Sequence, residues 1–176
     1  MTADHGQDPA ATEPPFPPTG RLAGVDYGTV RIGIAVCDPD RILASPVEVY
    51  QVRGETKDAE YFRRLAEQER LAGFVVGLPI HCDGGESQKS KECREFARWL
   101  SDETGVPVRL FDERFSTAAA KERLSGGRLS RQKKKKQLDA VAALVLLESF
   151  LEACRYHGVL VGQSIHDQAD GGDTLE

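Results

Sequence analysis

The chain has 176 residues, 40% of them hydrophobic and 29% charged, with four cysteines and a formal net charge of −5. That length supports one domain with a core of its own, and the composition excludes collagen-like, disulfide-scaffold and wholly disordered chains. No apolar stretch approaches the roughly 20 residues needed to span a bilayer, and no basic-then-apolar leader opens the chain, so a cytoplasmic protein with no membrane segment is expected. Cys37, Cys82, Cys93 and Cys154 form no C-x-x-C pair; reduced thiols are the simplest reading, and a zinc site is not expected.

Residues 1–20 carry five of the nine prolines and three acids with no Lys or Arg, which predicts a disordered arm. Arg21 to Asp26 and Arg31 to Cys37 are β-rich runs joined around Gly28 as a hairpin, and a third extended run covers Ile42 to Val52. Pro46 inside that third run suits an edge position or a bulge. Helical spacing then covers Thr56 to Leu71 through Ala59, Phe62, Leu65 and Ala66, followed by a short buried strand from Phe74 to Leu78. Ser87 to Asp102 is a second helix, Val106 to Phe111 the next strand, Thr117 to Leu124 a short helix and Leu138 to Tyr156 a long one. Residues 158–176, with four acids and no base, read as an acidic, flexible tail.

This order predicts an α/β domain over 21–157: a mixed five-stranded sheet with helices on both faces and the first strand central. In such sheets ligands gather outside the carboxyl ends of the strands, where strand order reverses. Asp26 ends the first strand and Asp112-Glu113 the last. Asp139 shares a helical stripe with Ala142, Ala143, Leu146 and Phe150, so it faces the sheet. A carboxylate on an apolar stripe is costly unless paired or bound to a cation. Three converging carboxylates would suit Mg²⁺, which is held by one or two carboxylates and substrate phosphates, and two such ions can drive phosphodiester hydrolysis. Taken singly, each acid has a plainer reading: Asp139 as a first-turn carboxylate, Asp26 as a turn former, Glu113 as the partner of Arg114 in a surface ion pair.

The two tails hold seven of the 28 acids and none of the 23 bases, so the middle of the chain is slightly basic. Residues 121–136 concentrate eight bases against the single acid Glu122, around a Gly126-Gly127 break that suggests a mobile loop feeding the Asp139 helix. A phosphate backbone is the natural partner of such a segment, here through Arg131, Lys133, Lys134, Lys135 and Lys136. His81, Cys82 and Asp83 occupy a Gly-rich loop that should open on the same sheet edge, where they could touch substrate or simply make the turn. Trp99 lies off the apolar stripe of its helix and is expected to pack on a neighbouring element.

Gly24-Val-Asp26-Tyr-Gly28-Thr with Arg31-Ile-Gly-Ile-Ala-Val, Val76-Gly-Leu-Pro79, Asp112-Glu-Arg114-Phe-Ser-Thr117 and Lys136-Gln-Leu-Asp139-Ala-Val-Ala-Ala143 resemble, in that order, the YqgF (RuvX) family of pre-16S ribosomal RNA nucleases and Holliday-junction-resolvase-like proteins. The likeness covers about Arg21 to Tyr156. It implies a ribonuclease H-like fold and a cytoplasmic, Mg²⁺- or Mn²⁺-dependent nuclease trimming the 5′ end of precursor small-subunit ribosomal RNA, with the ribosome as a further partner. It places the acidic positions on Asp26, Glu113 and Asp139, with Arg31, Arg114, Ser116 and Thr117 as substrate or orienting contacts. His81-Cys82 departs from the family, where Asn and an apolar residue are expected.

Two other classes compete. Asp26-Tyr-Gly-Thr also resembles the phosphate loop of actin-like ATPases, but those enzymes bind nucleotide between two such domains and this chain has room for one. A non-catalytic RNA- or ribosome-binding module would keep the fold without needing three acids. Within the nuclease reading, a DNA junction is the alternative substrate, and a junction resolvase should be a symmetric dimer.

Overall fold

The computed structural model describes residues 15–80, 83, 85–115 and 131–167, the side chains of 115 and 131–139 excepted. Its sheet is built from β1 (Arg21–Asp26), β2 (Arg31–Cys37), β3 (Ala44–Gln51), β4 (Leu71–Leu78), β5 (Val108–Asp112) and β6 (Gln163–Ser164), in the order β3-β2-β1-β4-β5-β6. Helices α1 (Glu55–Glu69) and α2 (Gln88–Thr104) make the crossovers, and α3 (Arg131–His157) is the last helix of the described residues. β1 pairs antiparallel with β2 and parallel with β4, and β4 pairs parallel with β5. The change of direction on either side of β1 makes it the switch point, and the carboxyl ends of β1, β4 and β5 meet on one edge.

Strand alternation sorts the side chains into two cores. Val25, Ile34, Phe74, Val76 and Leu110 face α1 and α2, around the fully buried Phe62. Leu22, Val75 and Phe111 face α3, against Ala143, Leu147 and Phe150. Helices thus cover both faces, as the pattern predicts. The α3 contact is close because Gly24 of β1 has no side chain: a Cβ there would stand 2.8 Å from the Leu147 Cβ and 2.9 Å from the Ala143 carbonyl oxygen. None of the described helices is long and apolar enough to cross a membrane.

The sheet has six strands where five are expected, because the tail does not begin at 158. Gln163 and Ser164 pair with Leu110 and Arg109 as β6, and Ile165 is buried in the α1/α2-side core. Arg98 donates to the Ile165 carbonyl (3.2 Å) and Arg94 to the Gln163 side chain (2.9 Å). A two-residue strand carrying one apolar anchor has no period to detect. The arm is shorter than expected as well. Phe16 lies over Gly73 of β4 and packs edge-on against Phe150 at 6.3 Å. Arg41, held at φ 58°, collects the carbonyls of Pro17 (2.8 Å), Thr19 (3.1 Å) and Gly20 (2.9 Å), which a proline-rich segment cannot satisfy by pairing as a strand.

The third strand starts at Ala44 instead of Ile42. It is the edge strand, with a register shift opposite Pro46, as a proline there requires. The amides of Ile42 and Leu43 are spent on the Asp38 carboxylate (2.8 and 2.6 Å), and these bonds hold the Asp38 carboxyl below its usual range. The run 131–136, expected as a loop, forms the first turns of α3; Lys and Gln are good helix formers and the Gly126-Gly127 break lies upstream. The expected helix at 117–124 lies outside the described residues.

At the start of α1 the Asp58 carboxylate, 8% exposed, accepts from the Tyr50 hydroxyl (2.7 Å) and from the Arg53 and Gly54 amides (2.9 and 3.3 Å). It substitutes for a side-chain cap, because the N-cap residue is Gly54. Burial, and then the bond to Asp58, push the Tyr50 hydroxyl up to about 12, so it stays a donor through the neutral range. Asp58→Ala should destabilise the fold by about 3 kcal/mol, since it leaves a buried hydroxyl and helix-end amides unpaired. Urea unfolding checks this, and a loss under about 1 kcal/mol would show that water replaces the carboxylate.

Candidate active site

The register brings the end of β1 beside the end of β4 (Val25 opposite Val76) and the end of β4 beside that of β5 (Leu78 opposite Asp112). Asp26, half-buried, closes β1 and by alternation shares the α3 face with Leu22 and Gly24. Chain direction changes just past β5, in a single 3-10 turn at Glu113–Phe115. That turn is clamped from below. The Asp112 carboxylate accepts from the Arg114 amide (2.9 Å), Nε (2.8 Å) and Nη2 (2.6 Å). Arg114 is thus held by Asp112, and the Glu113 carboxylate is turned onto the sheet.

Its position there is fixed by an absent side chain. A Cβ on Gly77 of β4 would stand 2.7 Å from Glu113 Oε1 and 3.3 Å from Leu146 Cδ2. The Glu113 carboxylate therefore lies over Gly77, beside α3, on the face that Asp26 shares. Cys93 of α2 marks the same convergence from the other side. Burial pushes its thiol up to about 12, and the negative charges of Glu113 and Asp26 both add to the rise, with Lys89 opposing. Two carboxylates thus approach one end of the sheet.

Helix α3 runs against the direction of β1 and β4: Leu146 lies at Gly77, near the end of β4, whereas Phe150 meets Phe16 over Gly73, near its beginning. Its amino-terminal turns consequently reach the edge where Asp26 and Glu113 lie. Asp139 stands in α3 one turn before Ala143, which crosses Gly24; its side chain lies outside the described residues. Arg31 opens β2 two residues before Gly33, the partner of Asp26, and by alternation is on the same face.

Arg131, Lys133, Lys134, Lys135 and Lys136 occupy the first turns of α3, with side chains outside the described residues, and Ser116, Thr117, His81 and Cys82 lie outside them altogether. Trp99 packs edge-on against Phe62 at 6.1 Å, as expected. Gly77, and the role of Asp112 as the clamp on Arg114, are what residue chemistry alone did not single out. A glycine inside an apolar strand is a detectable sign of close approach, and Asp-x-Arg at a strand end is a detectable clamp.

Carboxylate oxygens are hard donors suited to Mg²⁺ or Mn²⁺. Among the described residues no three His, Cys, Asp or Glu side chains form a metal-holding group, and the described part of the set is the pair Asp26 and Glu113. A pair is compatible with Mg²⁺, which commonly takes only one or two protein carboxylates.

The family model of RuvX, described as Holliday junction resolvase, matches residues 20–153. The chain belongs to the RuvX family. Among RuvX-family relatives, a candidate pre-16S rRNA nuclease of Rhodopirellula baltica is 65% identical over 152 residues, covering 86% of this chain and 88% of its own. One of the same description from Nitrobacter hamburgensis is 43% identical over 137 residues, covering 78% and 84%. The Thermus thermophilus RuvC structure in complex with Holliday junction substrate superposes with a TM-score of 0.55 at 16% identity, covering 80% of this chain and 98% of that one. RuvC without that complex gives 0.51 at 15%, covering 81% and 99%. The fold is ribonuclease H-like. As a RuvX-family member the protein is a nuclease, a hydrolase of nucleic-acid phosphodiester bonds.

Proposed function

We propose that Asp26, Glu113 and Asp139 form the catalytic group of this nuclease and that its substrate is the 5′ end of precursor 16S ribosomal RNA, processed in the cytoplasm during ribosome assembly. The observation that carries the site is the Glu113 carboxylate lying over Gly77 at the edge where β1 ends in Asp26. The substrate reading rests on the relatives, which carry the pre-16S name at up to 65% identity. Asp26, Glu113 and Asp139 would hold Mg²⁺ or Mn²⁺, which supplies the positive charge that offsets their repulsion and polarises water and phosphate.

The remaining work falls to the chain's own groups. Gly77 leaves room for the Glu113 carboxylate, and Asp112 holds the Arg114 turn that carries Glu113 at this edge. Arg114 therefore acts first as a positioning residue. Arg31, Ser116 and Thr117 contact the phosphates flanking the cut, while Arg131 and Lys133 to Lys136, at the amino-terminal end of α3, carry the backbone of the duplex or strand. Junction resolution, the activity in the family description, is the second reading.

The test is cleavage of a 5′-extended small-subunit rRNA precursor, unstructured RNA and a four-way DNA junction by wild type and Asp26→Asn, in Mg²⁺ or Mn²⁺. Metal-dependent cutting of the precursor, lost in the variant, is expected; cutting of the junction alone would assign the protein to DNA. In the same panel, neutralising Lys133 to Lys136 should weaken binding and flatten its log–log salt dependence by about 2–4 units in slope. An unchanged slope would remove those lysines from the interface.

A further inference from the structure

On the face of the sheet opposite α3, a cavity of about 390 Å³ opens between the residue after Asp26, the start of α1 and α2. Its wall is aromatic. Tyr27 stacks on Phe96 with centroids 4.4 Å apart and planes at 21°, and Trp99 lies against Phe96 at 5.6 Å and 33°. Its rim is acidic, with Glu55, Glu92 and Glu95 beside the buried Asp58, and among the described residues no Lys, Arg or His lines it. The clustered carboxylates make the local potential negative. Beside the cavity, Val30 is 68% exposed, its carbonyl accepting from the amide of Val52, another lining residue.

Neither the nuclease chemistry nor the phosphate interface uses this cavity. A polyanionic backbone is repelled by its rim, and a purely apolar ligand would leave the carboxylates desolvated without partners. A planar, weakly hydrated cation satisfies both surfaces, stacking on aromatic faces while its N–H groups fork onto carboxylates. We propose that this cavity receives an arginine side chain of a protein partner, with Val30 as the adjoining apolar contact. Because the cavity and the Gly77 face lie on opposite sides of the sheet, partner and nucleic acid can be held together. The proposal does not depend on which nucleic acid is cut.

Trp99 is the chain's single tryptophan, so its fluorescence reports the cavity in the unmodified protein. Titration with blocked Gly-Arg-Gly peptide should give a saturable change, and the isosteric citrulline peptide should bind at least about fivefold more weakly. The Glu92→Gln/Glu95→Gln double variant should lose a similar factor for the arginine peptide while keeping wild-type cleavage and thermal midpoint. No saturable change, or equal binding of arginine and citrulline, overturns the proposal. So does tighter binding of guanosine, which would make the cavity a base site, or a change in sedimentation of the double variant, which would assign it to a second copy of this chain.

Discussion

Gly77→Ala should leave the protein folded and yet lower cleavage by about 10²-fold, the scale of a misplacement of order 1 Å at a reacting group. The added methyl would stand 2.7 Å from Glu113 Oε1, a distance that real contacts do not sustain, and 3.3 Å from Leu146 Cδ2. What yields is the far end of a flexible glutamate side chain and not backbone, so the stability cost is small, within about 1 kcal/mol. The carboxylate, however, is driven from its place over β4. Gly24→Ala is the control with the opposite balance, because there the methyl meets the Ala143 carbonyl and the Leu147 Cβ, which belong to α3 and cannot swing aside. Steady-state cleavage together with urea unfolding of both variants separates the two effects. Wild-type activity in Gly77→Ala would mean that the Glu113 carboxylate has no fixed place in the chemistry.

Glu113→Gln should have the larger effect, a fall of at least about 10³-fold, as when one member of a catalytic unit is removed. The amide is nearly isosteric with the carboxyl and the Asp112 carboxylate keeps its bonds to Arg114, so the fold should persist. A second readout comes from the charge of Glu113 at Cys93. Glu113 is the largest of the charges that raise the Cys93 thiol, so the variant's Cys93 should titrate lower than the wild-type thiol. Lost activity with a lowered thiol pKa would place the carboxylate both in the chemistry and at this spot. Lost activity with an unmoved thiol would put Glu113 elsewhere.

Much of this architecture is legible in residue patterns because the sheet is buried on both faces. Runs such as Arg31-Ile-Gly-Ile-Ala-Val-Cys37 and Leu71-Ala-Gly-Phe-Val-Val-Gly-Leu78 have no other stable use, and their order forces β1 into the centre. Parallel packing then predicts that Asp26 and the Asp112-Glu113 pair share an edge, which the register bears out. What patterns miss is held by single anchors or by missing atoms. β6 rests on Ile165 and on arginines from α2 and β5, Phe16 rests on a glycine and one aromatic ring, and neither leaves a period. That Asp112 clamps Arg114 depends on the sense of a 3-10 turn, which adjacent acids in a sequence do not reveal.

The central claim is that Asp26, Glu113 and Asp139 act as one metal-holding group, and Mn²⁺ binding to the full chain tests it most directly. Calorimetric titration of wild type, Asp26→Asn, Glu113→Gln and Asp139→Asn, each paired with cleavage of the rRNA precursor, should show saturable binding in wild type. Each variant should lose it by at least about tenfold, in step with cleavage, because a hard divalent ion needs those carboxylate oxygens. An Asp139→Asn protein that binds Mn²⁺ and cleaves as wild type does would contradict the account.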